Sequence, residues 1–160
     1  MQISKHFKLS EFIKSQVATR NGIKNMPGSG EIKNLGNVAY EILEPVRAKF
    51  EKPVMINSGY RCLELNRKIG SSDSSQHTKG MAVDFEIIGT PNIQVAYWVQ
   101  NNCDFDQLIL EFYRPDEDNA GWIHASYCDG NNRKQVLTFD GKSYTDGLPE
   151  MLWENGKVKI

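Results

Sequence analysis

His77 and Asp84 lie in the stretch SSQHTKGMAVDFEI, residues 74–87, with six residues between them, and His124 lies in WIHASY. Histidine nitrogens and carboxylate oxygens are zinc ligands, and a catalytic zinc commonly takes three protein ligands and leaves a fourth position for water. Two histidines and an aspartate make such a set if the chain brings them together. Alternation along strands sorts side chains by face. In MAVDFEI, Met81, Val83, Phe85 and Ile87 share one face, and Ala82, Asp84 and Glu86 share the other. In QLILEF, Leu108, Leu110 and Phe112 oppose Gln107, Ile109 and Glu111. In WIHASY, Ile123, Ala125 and Tyr127 oppose Trp122, His124 and Ser126. The three strands agree on one apolar face and one face gathering Asp84, Glu111, Trp122 and His124. His77 can reach that second face from the loop before its strand. Gly80 lets the chain turn there, and small Ala82 leaves room beside Asp84. The spacing alone leaves a second reading open, a turn histidine beside a solvated carboxylate. His6, in a polar N-terminal segment, is given no role.

The elements that must position these residues are short and mixed. KLSEFIKSQVATRNG reads as a helix with Ser10 as N-cap and Gly22 after its end. From about Glu31 to Phe50, Ile32, Leu35, Val38, Ala39, Ile42, Val46 and Phe50 recur at helical spacing, with Pro45 expected to kink or break the helix. PVMINSGY reads as extended, CLELNRKIG as a short helix stopped by Gly70, and NIQVAYWVQNN as a helix after Pro91. FDQLILEF, WIHASYC and RKQVLTFD read as strands, and the tail from Ser143, with Trp153 and a turn at ENGK, as a small hairpin. Without strict βαβ alternation the class is α+β. The expected architecture is one domain over 1–160, an antiparallel sheet with helices on one face and the candidate site on the other.

The chain has 160 residues, 39% hydrophobic and 24% charged, with net charge −1. That balance suits a globular core and provides no basic field for nucleic acid. No apolar run approaches the roughly 20 residues needed to span a bilayer. MQISKHFKLSEFIKS lacks the apolar region of a signal peptide, so synthesis in a host cytoplasm is expected. Cys62, Cys103 and Cys128 are odd in number with no CxxC spacing, and are expected to be reduced and mostly buried. Asp116, Glu117 and Asp118 read as a solvated loop.

Four spaced elements, SGYRCLELN, SSQHTKGMAVDF, LILEF and WIHASY, together resemble the zinc D-Ala-D-Ala carboxypeptidase and peptidoglycan endopeptidase family, the M15 peptidases. The resemblance is in particular to the small phage and prophage members. The pattern S-x-H-x-x-G-x-A-x-D stands as Ser75, His77, Gly80, Ala82 and Asp84, and W-x-H as Trp122 and His124. The likeness covers roughly residues 5–128, leaving 129–160 as C-terminal strands and tail. It implies the fold shared with the hedgehog signalling domain and one zinc held by His77, Asp84 and His124. It further implies a transition-state role for Arg61 and substrate contacts at Ser75 and Trp122. Some relatives carry a catalytic glutamate three residues before the last histidine; Gly121 stands there, so Glu111 is expected as the base. A hairpin would bring Glu111 opposite the Ile123–His124 region. Cys62 stands where many relatives have serine. The activity implied is hydrolysis of an amide bond in the peptide stem of peptidoglycan by a monomeric phage lysis enzyme that reaches the wall after release. The alternative is a non-catalytic zinc-containing binding or virion module of the same fold.

Overall fold

The computed structural model describes residues 1–154 and 157–159. The first expected helix is two: α1, Leu9–Ile13, and α2, Gln16–Arg20. Ser10 is not the N-cap. Lys8 holds that position, because the Glu11 carboxylate reaches back to accept its N–H at 2.7 Å. Ser15 caps α2 instead, its hydroxyl accepting from the Ala18 N–H.

The long amphipathic run becomes α3, Ser29–Val38, a π-turn over Ala39–Leu43, and α4, Glu44–Phe50. The break at Pro45 is thus a widened turn. The Glu44 N–H bonds back to the Ala39 carbonyl, and Pro45, with no N–H to place, starts the next segment. Helix α5 is Leu63–Lys68 and α6 is Asn92–Asn102.

Strands β1, Met55–Ser58; β2, Ala82–Glu86; β3, Gln107–Glu111; β4, Trp122–Ser126; β5, Gln135–Phe139; and β6, Tyr144–Asp146, form a six-stranded sheet in the order β1-β2-β4-β3-β5-β6. The sheet is mixed, which corrects the antiparallel expectation: β5 runs parallel to β3, and the other pairs are antiparallel. A parallel neighbour needs a crossover. Loop 112–121, β4 and residues 127–134 together supply it, the last carrying the chain past the start of β3. The tail hairpin forms from β7, Leu152–Glu154, and β8, Lys157–Lys159. The turn expected at ENGK lies partly outside the described residues.

Val83, Phe85, Leu108, Leu110, Ile123 and Ala125 are fully buried on one face. They share a cluster with Leu35, Val38, Ile42 and Val46 of the first long run and with Ile93, Ala96 and Val99 of α6. Each fully buried Val, Leu, Ile or Phe contributes about 1.5–3 kcal/mol relative to exposure. With that face covered, β2, β3 and β4 have one orientation open to them, and Asp84, His124 and Glu111 must emerge on the other side.

Candidate active site

Strand register assembles the site row by row. Ser58 pairs with Asp84, Asp84 with His124, and His124 with Ile109. The next row sets Trp122 opposite Glu111. Glu111 is therefore one pair along from the expected position, and reaches His124 on the diagonal. Phe112 and Gly121 cause the offset. Phe112 leaves the strand at φ 53 and Gly121 enters β4 at φ 68. A Cβ on Gly121 would lie 1.7 Å from the Glu111 carbonyl oxygen, so no side chain fits there. Holding a phenylalanine in this left-handed conformation costs on the order of 1–3 kcal/mol.

His77 comes from a 3₁₀ turn, Gln76–Lys79, ahead of β2. Ser75 caps the turn, its hydroxyl accepting from the His77 N–H at 3.4 Å. Gly80 ends it at φ 67, and a Cβ there would meet the Glu31 carbonyl oxygen at 2.5 Å. The His77 ring donates from Nδ1 to the Gly59 carbonyl at 2.6 Å. Gly59 packs against α1 so closely that a Cβ would lie 2.6 Å from the Phe12 carbonyl oxygen. Tyr60 donates its N–H to that same carbonyl, and Arg61 donates its N–H to the His77 carbonyl.

The remaining His77 nitrogen, Nε2, lies 3.3 Å from Asp84 Oδ1, and His124 Nδ1 lies 2.9 Å from the same oxygen. All three side chains are buried, and their donor atoms lie within 4.8 Å of one another. Burial pushes His77 down from its ordinary value, toward a neutral ring. A neutral ring that spends its proton on Gly59 turns a lone pair toward the Asp84 carboxylate. Burial pushes Asp84 up, but contacts with His77 and His124 outweigh it and hold the carboxyl well below the usual range. At 3.3 Å such a pair needs a cation between ring and carboxylate, either a proton on Nε2, the state in which His77 draws the Asp84 carboxyl down, or a metal ion in its place. The donor set therefore fits a metal with nitrogen and oxygen ligands, and the Gly59 carbonyl is the outer partner that orients the ring.

Two polar groups flank this cluster. Arg61 is half-buried, and its Nε is buried without a hydrogen-bond partner among the described residues. Burial pushes the guanidinium down while the charges of Asp84 and Glu111 pull it up. Burial likewise pushes Glu111 up, with Asp84 adding to the effect and His124 and Arg61 opposing it. Two clefts meet at the cluster. One, of about 940 Å³, includes Arg61, Asp84, Trp122, Lys14 and Arg20. The other, of about 600 Å³, includes Ser75, His124, Gln107 and Arg133.

Several residues that hold the site carry no sequence signal of their own. Asn25 donates to the Ile13 and Tyr60 carbonyls at 2.9 Å and accepts from the Cys62 N–H at 2.8 Å, clamping both sides of Arg61. Asp106 accepts from Gln76, beside His77, and from the backbone and guanidinium of Arg133 in the crossover. Asp116, Glu117 and Asp118 are exposed, and Glu117 pairs with Arg114 at 3.1 Å. His6 stands apart, bonded to Glu44 at 2.6 Å. The cysteines are free, but only Cys103 is buried; Cys62 and Cys128 are half-buried.

The Asp106 clamp has a pH signature. Hydrogen bonds from Arg133 hold its carboxyl down at about 2, from an ordinary 3.8. Its folded value is depressed, so its stabilisation is present above about pH 4 and is lost as pH falls through about 2. Asp106 is buried but Arg133 is half-exposed, which trims the expected contribution to about 1–2 kcal/mol. Asp106→Asn should lower the melting temperature at pH 7 and flatten its decline between pH 4 and pH 2. Parallel melting curves for variant and parent across that range would refute this reading of the clamp.

Two buried histidines, one on a sheet and one on the turn before it, a carboxylate between them, a second carboxylate and an arginine whose Nε has no partner among the described residues define a class: the metal-dependent hydrolases. Residues 5–125 match the profile of a family described as Peptidase M15, and the chain belongs to that family. Its members are metal-dependent and act on peptide bonds, which makes this chain a metallopeptidase. No curated protein sequence matches the chain.

Proposed function

We propose that the chain is a zinc peptidase, of the phage or prophage endolysin type, that hydrolyses an amide bond in the peptide stem of bacterial peptidoglycan. The observation that carries this is the convergence of His77 Nε2 and His124 Nδ1 on Asp84 Oδ1, next to a Glu111 of raised pKa and an unpaired Arg61 Nε. The motifs around these residues resemble those of wall-cleaving members of the family. Zinc held by His77, Asp84 and His124 would polarise the scissile carbonyl and acidify water at its open position.

The chain's own residues do the rest. Glu111, held partly out of water, takes a proton from the attacking water and passes it to the leaving amine. Arg61 directs its free N–H to the carbonyl oxygen as negative charge develops there. Trp122 walls the cleft beside Arg61, and Ser75 lines the other cleft while holding the His77 turn.

Purified peptidoglycan incubated with the protein should release stem-peptide fragments. Chelator should stop the release and zinc should restore it. A zinc-loaded protein that releases nothing would sink the proposal. Arg61→Lys keeps the charge but loses the planar fork. Turnover should fall at least about tenfold, about 1.4 kcal/mol of transition-state stabilisation. Unchanged kinetics in that variant would reduce Arg61 to a packing residue.

A further inference from the structure

Four aromatic rings lie on the site face around Glu111, and the hydrolytic reading gives a task to Trp122 alone. Trp122, Glu111, Phe139 and Tyr144 occupy one row across β4, β3, β5 and β6. Phe112 joins them from the end of β3. Ring centroids are 4.9 Å apart for Phe112 and Trp122, 5.0 Å for Phe112 and Phe139, and 4.5 Å for Phe139 and Tyr144, the last pair stacked. In a regular strand Phe112 would follow Glu111 onto the apolar face. Its φ of 53 turns the ring onto the site face instead. Burial does not account for that conformation, because Phe112 is 41% exposed and Tyr144 at the far end is 56% exposed.

We propose that this shelf binds sugar rings of the glycan strand that carries the stem peptide, a site that rests on the wall-hydrolase reading above. The axial C–H bonds of a pyranose present a partly positive face, which suits the negative face of an aromatic ring. A carboxylate within the row decides against an apolar protein partner. Covering Glu111 with apolar surface would strand its charge, whereas sugar hydroxyls and amides can share one carboxylate oxygen and leave the other to the attacking water. Trp122 belongs both to the shelf and to the cleft at Arg61 and Asp84, so a strand on the shelf is continuous with a peptide in the cleft. Phe139 and Tyr144 lie beyond the residues that match the family.

A soluble N-acetylglucosamine oligomer titrated into the whole protein tests this by amide chemical shifts. Saturable shifts are expected at Phe112, Phe139 and Tyr144. Affinity should fall at least about tenfold in Tyr144→Ala, which opens no core, and in Phe112→Gly, which suits positive φ. The ratio of kcat/KM on glycan-bearing to glycan-free stem peptide should fall by a similar factor in both variants. Absence of shifts in the parent protein, or an unchanged ratio, would overturn the proposal. So would a loss confined to the glycan-free peptide, which assigns the rings to peptide side chains, or a parent dimer that Tyr144→Ala dissociates, which makes the shelf a contact between copies. The titration needs no turnover. A protein that binds the oligomer yet hydrolyses no wall would remove the wall-hydrolase reading and keep the shelf.

Discussion

Glu111→Gln is expected to slow peptide hydrolysis roughly 10²–10⁴-fold, the usual loss when a positioned base is removed. Glutamine is nearly isosteric, and Glu111 sits at the end of β3 where its backbone pairs on both sides, with Trp122 and with Phe139. Melting temperature and metal content should therefore stay at parental values. The pH profile gives a second readout. Burial raises the Glu111 pKa, and only the ionised form accepts a proton. Activity should therefore climb along a limb above the ordinary carboxylate range, and that limb should vanish in the variant. Asp116→Asn and Glu117→Gln serve as controls and should change little, because their loop is exposed. Near-parental turnover in Glu111→Gln, with collapse in a loop variant, would move the base to that loop.

The second large effect is on the metal. The parent should bind about one zinc per chain, and His77→Ala should weaken that binding more than 100-fold. Loss of an outer partner alone costs 10–100-fold, and loss of a direct donor should cost more. The fold should survive. The apolar core lies on the opposite face of the sheet, and the main penalty is an orphaned Gly59 carbonyl, about 1–3 kcal/mol. Elemental analysis and thermal melting read the two effects separately. Full zinc occupancy in His77→Ala would remove this residue from the ligand set. Unfolding without metal would instead make the centre a structural staple.

The clustering of Asp84, His124 and His77 was legible because a two-residue period, one apolar face and a turn glycine suffice to place them on one side. Direction and neighbour were less so. RKQVLTFD reads as a strand, but nothing within it says that β5 lies parallel beside β3. Glu111 was placed one pair off because a non-glycine residue at positive φ, Phe112, resets the strand end, and residue type does not announce that. Asn25, Gln76 and Asp106 were missed for a different reason. Their partners are backbone groups and side chains 12 to 37 residues away, and such distances hold no periodic trace. Ser10 was a sound N-cap by type, but a glutamate one position later reached back past it.

The crossover of residues 127–134 bears on the order in which the enzyme is made. Its Asn132, Arg133 and Lys134 grip Asp104 and Asp106 at the head of β3, and its Cys128, Asn131 and Arg133 wall one cleft. All three candidate donors, His77, Asp84 and His124, precede this segment. A nascent chain emerging from the ribosome therefore exposes a complete set of donors before the strap has closed over β3. The wall residues of 127–134 and then β5, which pairs along the remaining edge of β3, follow in the chain. In chain order, the residues that would hold a metal come first, and the last residues to wall this cleft come after them.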